Sequence, residues 1–309
     1  MKIVSKVYTI IVIYLRKYLQ RENEKNMNLI DKKIQCPVCN YKSSFYKRLK
    51  EVTLYFCDHC KHRFTDIDSI QNKENYTLEY FKKKHPNWFK NQNFELFNYI
   101  FNIIKSTKID SPSVLDACCG QGDLLKYLKQ KSNKVKLTGI DFHKNESEEK
   151  INFLCDDIFK TEFKEKFDVV VNLASVEHVW NVQDYMNILS KNCKDGGIII
   201  TMTINDSSLV YGVARIIYNL GIKSPMERLY DKHHLNHFSK DSLEYLHTKN
   251  SLDIIDKPYT KWSMQSVDIP KSNFLLESIN KLALFGLFTS EKLLGKGTLQ
   301  TISAQKKIN

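Results

Sequence analysis

Thirteen residues, Ser113-Val-Leu-Asp-Ala-Cys-Cys-Gly-Gln-Gly-Asp-Leu-Leu125, constrain the fold of this chain more than any other stretch, because they spell a strand, a glycine turn and a helix start. Val114 and Leu115 suit a buried strand, and Gly120 and Gly122 let the backbone turn tightly and approach a ligand. Leu124, Leu125, Tyr127 and Leu128 then recur at helical spacing. The helix start presents N–H groups and positive dipole character to whatever lies in the turn. Downstream, the apolar run Leu137-Thr-Gly-Ile140 ends in Asp141, where a carboxylate would grip the hydroxyls of a nucleoside ribose.

Strands are expected near 113–118, 136–141, 151–155, 167–173 and 197–203, separated by helical or irregular connections, with two later strands over Leu252–Asp256 and Thr298–Ala304. The spacing predicts an α/β fold built on a doubly wound, mostly parallel seven-stranded sheet. Residues 143–150 are too few for a full crossover helix, so that link should be irregular.

Two ligand classes use a glycine turn of this kind. A dinucleotide site requires G-x-G-x-x-G, and the third glycine position is Leu125 here, which disfavours a pyrophosphate. Asp116, four residues before Gly120, favours a cationic or amino-bearing ligand instead. The run resembles motif I of class I S-adenosylmethionine (SAM) methyltransferases, with Cys118 in place of the first glycine and a slightly wider turn expected there. Ile151–Cys155 and then Asp156-Asp157-Ile158 match the family's next strand and acidic step, which implies that Asp157 bonds the adenine amino group. Phe167–Leu173 leads into Ala174-Ser-Val-Glu-His-Val-Trp-Asn181, similar to motif IV of small-molecule methyltransferases. The resemblance implies a Rossmann-like domain whose two late strands, Leu252–Asp256 and Thr298–Ala304, pair antiparallel, SAM as cofactor, and a binding set of Asp116, Cys118, Gly120, Gly122, Asp141, Phe142, Asp157, Ile158 and Leu173.

Cys36-Pro-Val-Cys39 and Cys57-Asp-His-Cys60 form two C-x-x-C knuckles separated by 17 residues, the spacing of a four-thiolate zinc ribbon. Phe45–Leu49 and Val52–Phe56 supply a hairpin between them. Disulfides are the alternative, but no export signal is evident and the other four cysteines show no pairing pattern. A closed four-ligand site implies structural Zn2+ rather than catalysis, with His59 and His62 as neighbours of the last ligand. A ribbon joined to this domain resembles bacterial SAM methyltransferases of cell-surface sugar and natural-product clusters. The match includes Tyr55-Phe-Cys-Asp-His-Cys-Lys-His-Arg-Phe-Thr65, Tyr80-Phe81, His233-His-Leu-Asn-His-Phe-Ser-Lys-Asp-Ser-Leu243 and Leu293–Gln300. It spans about Ile34 to Lys307. Tyr55 stands one residue nearer the first cysteine than the family pattern has it. Ser239 is the expected N-cap of a helix.

The domain expectation is an apolar and basic extension at 1–30, the zinc ribbon at 31–68, a helical linker at 69–110, and the SAM-dependent methyltransferase domain at 111–309. Insertions at 206–238 and 258–295 should shape an acceptor pocket. The nine-residue apolar run Val7–Leu15 is far short of the roughly 20 residues a spanning helix needs. It is a peripheral membrane contact over residues 1–17, a helix packed on the body, or sequence upstream of a start at Met27; the latter two are favoured. The expected location is the cytoplasm, with membrane association open.

Net charge is +12, but the lysines are scattered and carry little information about partners. The leading function is transfer of a methyl group to oxygen, or carbon, of a small-molecule acceptor: a sugar, nucleotide-sugar, lipid-linked intermediate or secondary metabolite. His178, just past the fourth strand, is the first candidate base, His237 the second, and Glu177 would orient His178 or replace it. A zinc-ribbon RNA methyltransferase is the alternative. Against a nucleic-acid partner stand the absence of a [DNS]-P-P-[YFW] box after the fourth strand and the scarcity of Arg, without closing that reading. A non-catalytic docking module that has lost SAM is the third. Related ubiquinone-pathway enzymes carry E-x-x-E-H, associated with a divalent metal; Ala174 replaces the first glutamate, so no catalytic metal is expected. Oligomeric state is not legible.

Overall fold

A computed structural model describes residues 31–70, 87, 90–260, 285–287, 289–290 and 297–308. The expectations for residues 1–30, for Tyr80-Phe81, for positions 293–296 and for most of the 258–295 insertion lie outside the described residues.

The ribbon contributes β1 (Ile34–Gln35), β2 (Lys42–Arg48), β3 (Thr53–Phe56) and β4 (Arg63–Thr65), paired antiparallel in that order. The main sheet is built from β5 (Ser113–Ala117), β6 (Lys136–Asp141), β7 (Ile151–Cys155), β8 (Phe167–Leu173) and β9 (Cys193–Ile204). A short strand, β10 (Asn236–His237), returns to the ribbon, and β11 (Leu252–Asp256), β12 (Tyr259–Thr260) and β13 (Leu299–Lys306) close the main sheet.

The order of the main sheet is β7-β6-β5-β8-β9-β13-β11, and the two-residue β12 also pairs with β13. Strands β5 to β9 are parallel, while β13 and β11 run antiparallel at the edge. The seven-stranded expectation therefore holds, with β12 as a short addition. Val169–Val171 of β8 and Ile198–Ile200 of β9 are continuous apolar runs, buried because both faces of the sheet are covered.

Helices α1 (Phe94–Ser106), α2 (Asp123–Lys131), α3 (Val182–Asn192), α4 (Leu209–Asn219), α5 (Ser224–Leu229) and α6 (Lys240–Lys249) complete the named elements. Helix α1 is more than a linker. Its Leu96, Phe97, Ile100 and Ile104 are buried in the same core as Leu124, Leu125 and Leu128 of α2 and Val114 of β5. Asn93, Asn181, Ser208 and Ser239 each cap a helix by accepting a backbone N–H, Ser239 as expected. The link over 143–150 is irregular, also as expected.

The ribbon sheet has a fifth strand that the expected boundaries did not include. β10, from the 206–238 insertion, pairs antiparallel with β4, Asn236 opposite Phe64 and His237 opposite Arg63. The ribbon is thus completed by the domain it precedes. Gln183 and Lys249 both donate to the Val38 carbonyl, and the four ribbon cysteines share a core with Tyr185, Leu243 and Leu246.

Candidate active site

The carboxyl ends of β5, β6, β7 and β8 lie side by side, which is where an open α/β sheet binds its ligand. The turn after β5 is tight. The Gly122 N–H donates to the Cys119 carbonyl at 2.9 Å, and the Cys119 N–H donates to the Ile140 carbonyl at 3.0 Å. Gly122 has φ of 72°, and a Cβ there would lie 2.5 Å from the Phe153 ring, so glycine is required. Gly120 has φ of 54° and faces open space. Cys118 takes φ of 60°. A non-glycine residue thus adopts a left-handed conformation at the position of the motif's first glycine. The Cys118 thiol meets the Tyr185 hydroxyl at 3.6 Å, and that hydroxyl meets Ser175 at 3.0 Å, which links this turn to the loop after β8.

Asp141 ends β6 and accepts from the Gly120 N–H at 2.9 Å and from the His143 N–H at 3.0 Å. Asp157 accepts from the Phe159 N–H at 3.0 Å. Asp116 is 3 % exposed, and burial, with Asp141 and Asp123 nearby, pushes its carboxyl up to about 8. An acidic, crowded end of this kind suits a ligand that brings positive charge. Phe142 is 67 % exposed beside Asp141, Ile158 is buried in the core, and Leu173 is half-buried at the end of β8.

Beyond β8 the chain enters the turn Val176–His178. The Nδ1–H of His178 donates to the His233 carbonyl at 2.8 Å, which puts the basic lone pair on Nε2. Its ring lies 4.9 Å from that of His234, and His234 lies 6.4 Å from His237. Burial, then the other histidines, hold His178 and His237 well below the usual imidazole range, so both are neutral at pH 7. Glu177 is buried and accepts from the Thr203 hydroxyl at 2.8 Å, and burial pushes it up to about 7. The His233 carbonyl thus accepts from His178, while the Glu177 carboxylate accepts from Thr203.

A polar cluster beside these rings has no counterpart among the sequence expectations. Asp206, fully buried just after β9, accepts from Arg63 of the ribbon, from Arg215 of α4 at 3.2 Å and from the Tyr230 hydroxyl at 2.5 Å. Its position at the carboxyl end of a parallel strand was the signal that could have found it. The four cysteine sulfurs lie within 4.8 Å of one another, with Cys36–Cys60 at 3.5 Å and Cys39–Cys57 at 3.4 Å. A zinc–sulfur bond of about 2.3 Å places tetrahedral sulfurs about 3.8 Å apart, so Cys36, Cys39, Cys57 and Cys60 fit a zinc ion.

Residues 88–257, more than half the chain, match the family described as methyltransferase domain. The chain belongs to that family and is a SAM-dependent methyltransferase. The ubiquinone biosynthesis O-methyltransferase of Rickettsia bellii is 33% identical over 178 residues, covering 50% of this chain and 72% of the relative. The enzyme of the same name from Rickettsia prowazekii is 33% identical over 178 residues, covering 50% and 69%. Among solved structures, the plantazolicin methyltransferase BpumL in complex with a triazolic desmethylPZN analog and SAH gives a TM-score of 0.49 at 19% identity, covering 74% of this chain and 89% of that one. Among the described residues of the methyltransferase, no helix is long and apolar enough to cross a membrane.

Proposed function

We propose that the methyltransferase transfers a methyl group from SAM to a hydroxyl oxygen of a small-molecule acceptor, with His178 as general base. The observation that carries this reading is the Nδ1–H bond from His178 to the His233 carbonyl, which fixes the basic nitrogen as Nε2. The O-methyltransferase names of relatives at 33% identity support oxygen as the receiving atom. The acceptor belongs to the sugar, nucleotide-sugar, lipid-linked or secondary-metabolite classes.

Bound SAM supplies an electrophilic methyl group on its sulfonium. Asp141 would accept from the ribose hydroxyls and Asp157 from the adenine amino group, with Phe142, Ile158 and Leu173 lining the purine and its approach. Asp116 would attract the cationic amino-acid portion across the turn formed by Cys118, Gly120 and Gly122. His178 would take the acceptor proton at Nε2 as the acceptor oxygen receives the methyl group. His237 is the second candidate for that proton. Zn2+ on Cys36, Cys39, Cys57 and Cys60 is structural.

Calorimetry with S-adenosylhomocysteine (SAH) on the intact protein comes first, followed by SAH-release assays across those acceptor classes. Removing a general base typically lowers the rate about 10²- to 10⁴-fold. His178→Ala should do so while SAH affinity stays constant; an unchanged rate would move the role to His237.

A further inference from the structure

The ribbon does more than precede the catalytic domain: it places a charged side chain inside it. Arg63 lies three residues beyond Cys60, in β4, opposite His237 in β10. Its guanidinium pairs with the buried carboxylate of Asp206 and lies 4.7 Å from the Tyr46 ring and 4.6 Å from the Phe56 ring. Asp206 also anchors the acceptor-facing segment. The Asp206 N–H donates to the Phe238 carbonyl at 2.9 Å, and Tyr230, just before the histidine run, donates to its carboxylate. Further along the seam, the Thr65 N–H donates to the Leu235 carbonyl and its hydroxyl to the His234 carbonyl. His62 bonds Asn236, whose amide donates to the Val179 carbonyl at 2.6 Å. Bonds from the ribbon or from Asp206 thus reach Tyr230, His234, Leu235, Asn236 and Phe238.

We propose that Arg63 is a positioning residue for methyl transfer: held by the ribbon and paired with Asp206, it fixes the 230–238 segment and so the acceptor-facing histidines. The inference rests on the proposed role of that end of the site. It does not involve the cofactor end, where Asp141 and Asp157 bond to Gly120, His143 and Phe159. Two guanidiniums, Arg63 and Arg215, share one carboxylate, so loss of Arg63 leaves Asp206 paired and the fold standing while its tie to the ribbon is cut.

The test uses the zinc-loaded full chain and Arg63→Ala, reading zinc content, SAH affinity and amide hydrogen exchange. The expected result is unchanged zinc content, SAH affinity within about twofold, and exchange over 230–238 faster by about ten- to a hundredfold, the worth of one charged hydrogen bond. With an acceptor from the screen above, KM for the acceptor should rise and KM for SAM should not. Arg63→Lys, which keeps the charge, should recover part of the protection. Unchanged exchange over 230–238 in zinc-loaded Arg63→Ala would overturn the proposal. If Arg63→Ala loses SAH binding or zinc, the same readings on Asp206→Asn decide, with unchanged exchange again overturning it. Failure to find any acceptor would weaken the functional reading alone, because exchange and SAH binding need no acceptor.

Discussion

The two ends of the proposed site, one for the cofactor and one for the acceptor, are built from different kinds of contact. At the cofactor end, Gly120 meets Asp141 across 21 residues of sequence, within consecutive strand–turn units. At the acceptor end, Arg63 reaches Asp206 across 143 residues, Thr65 reaches His234 across 169, and His62 reaches Asn236 across 174. The first end can form from one stretch of chain. The second also draws on the ribbon, through Arg63, Thr65 and His62. The comparison implies separable failure: damage to the ribbon should disable the acceptor end and spare the cofactor end.

Zinc removal should show this most strongly. Structural zinc contributes about 10–16 kcal/mol in small zinc-binding peptides at pH 7. Chelation, or Cys57→Ser, should therefore unfold the ribbon and release β10. Loss of exchange protection over 34–65 and 230–238, with SAH binding retained in calorimetry, is the expected pattern. Simultaneous loss of SAH binding would show that the two ends fold as one unit. Asp206→Ala comes next. It strands Arg63 and Arg215 as partly buried cations, and breaking a buried pair from one side costs about 3–5 kcal/mol. Urea denaturation would read it as a lower midpoint. Asp141→Ala should do the reverse, weakening SAH by about ten- to a hundredfold through lost charged hydrogen bonds while leaving the acceptor end's exchange unchanged.

The same difference in sequence separation governs how much was legible. The sheet followed from apolar runs such as Phe167–Leu173, whose burial on both faces leaves a strong signature. Asp141 was expected from its place at the end of β6 and Asp157 only from the family resemblance, while the two C-x-x-C knuckles announced their own convergence. Asp206 stood at a strand end too, but its meaning depends on Arg63 and Tyr230, and nothing local joins those three. The β4–β10 pairing was illegible for the same reason: a two-residue strand such as Asn236–His237 has no periodicity to detect. Cys118 takes a positive φ, a conformation that the sequence does not announce for a non-glycine residue.

The finest distinction between the ends lies in their buried acids. Burial raises Glu177 at the acceptor end to about 7, and burial with neighbouring carboxylates raises Asp116 at the cofactor end to about 8. Each holds its proton in the folded state over a range where the unfolded chain has already released it. The folded state then binds more protons, so each group's contribution to stability falls as pH rises, from the ordinary carboxylate range to about 7 for Glu177 and about 8 for Asp116. The slope is at most about 1.4 kcal/mol per pH unit for each group. Glu177→Gln and Asp116→Asn should each flatten their own part of the curve of melting temperature against pH. A ligand that carries an ammonium group separates them. If Asp116 must ionise to receive it, SAH affinity should rise by up to about tenfold per pH unit below about 8, with proton release visible as a dependence of calorimetric enthalpy on buffer. Asp116→Asn should abolish that dependence and Glu177→Gln should preserve it. A buffer-independent enthalpy in the intact protein would remove Asp116 from the cofactor's reach.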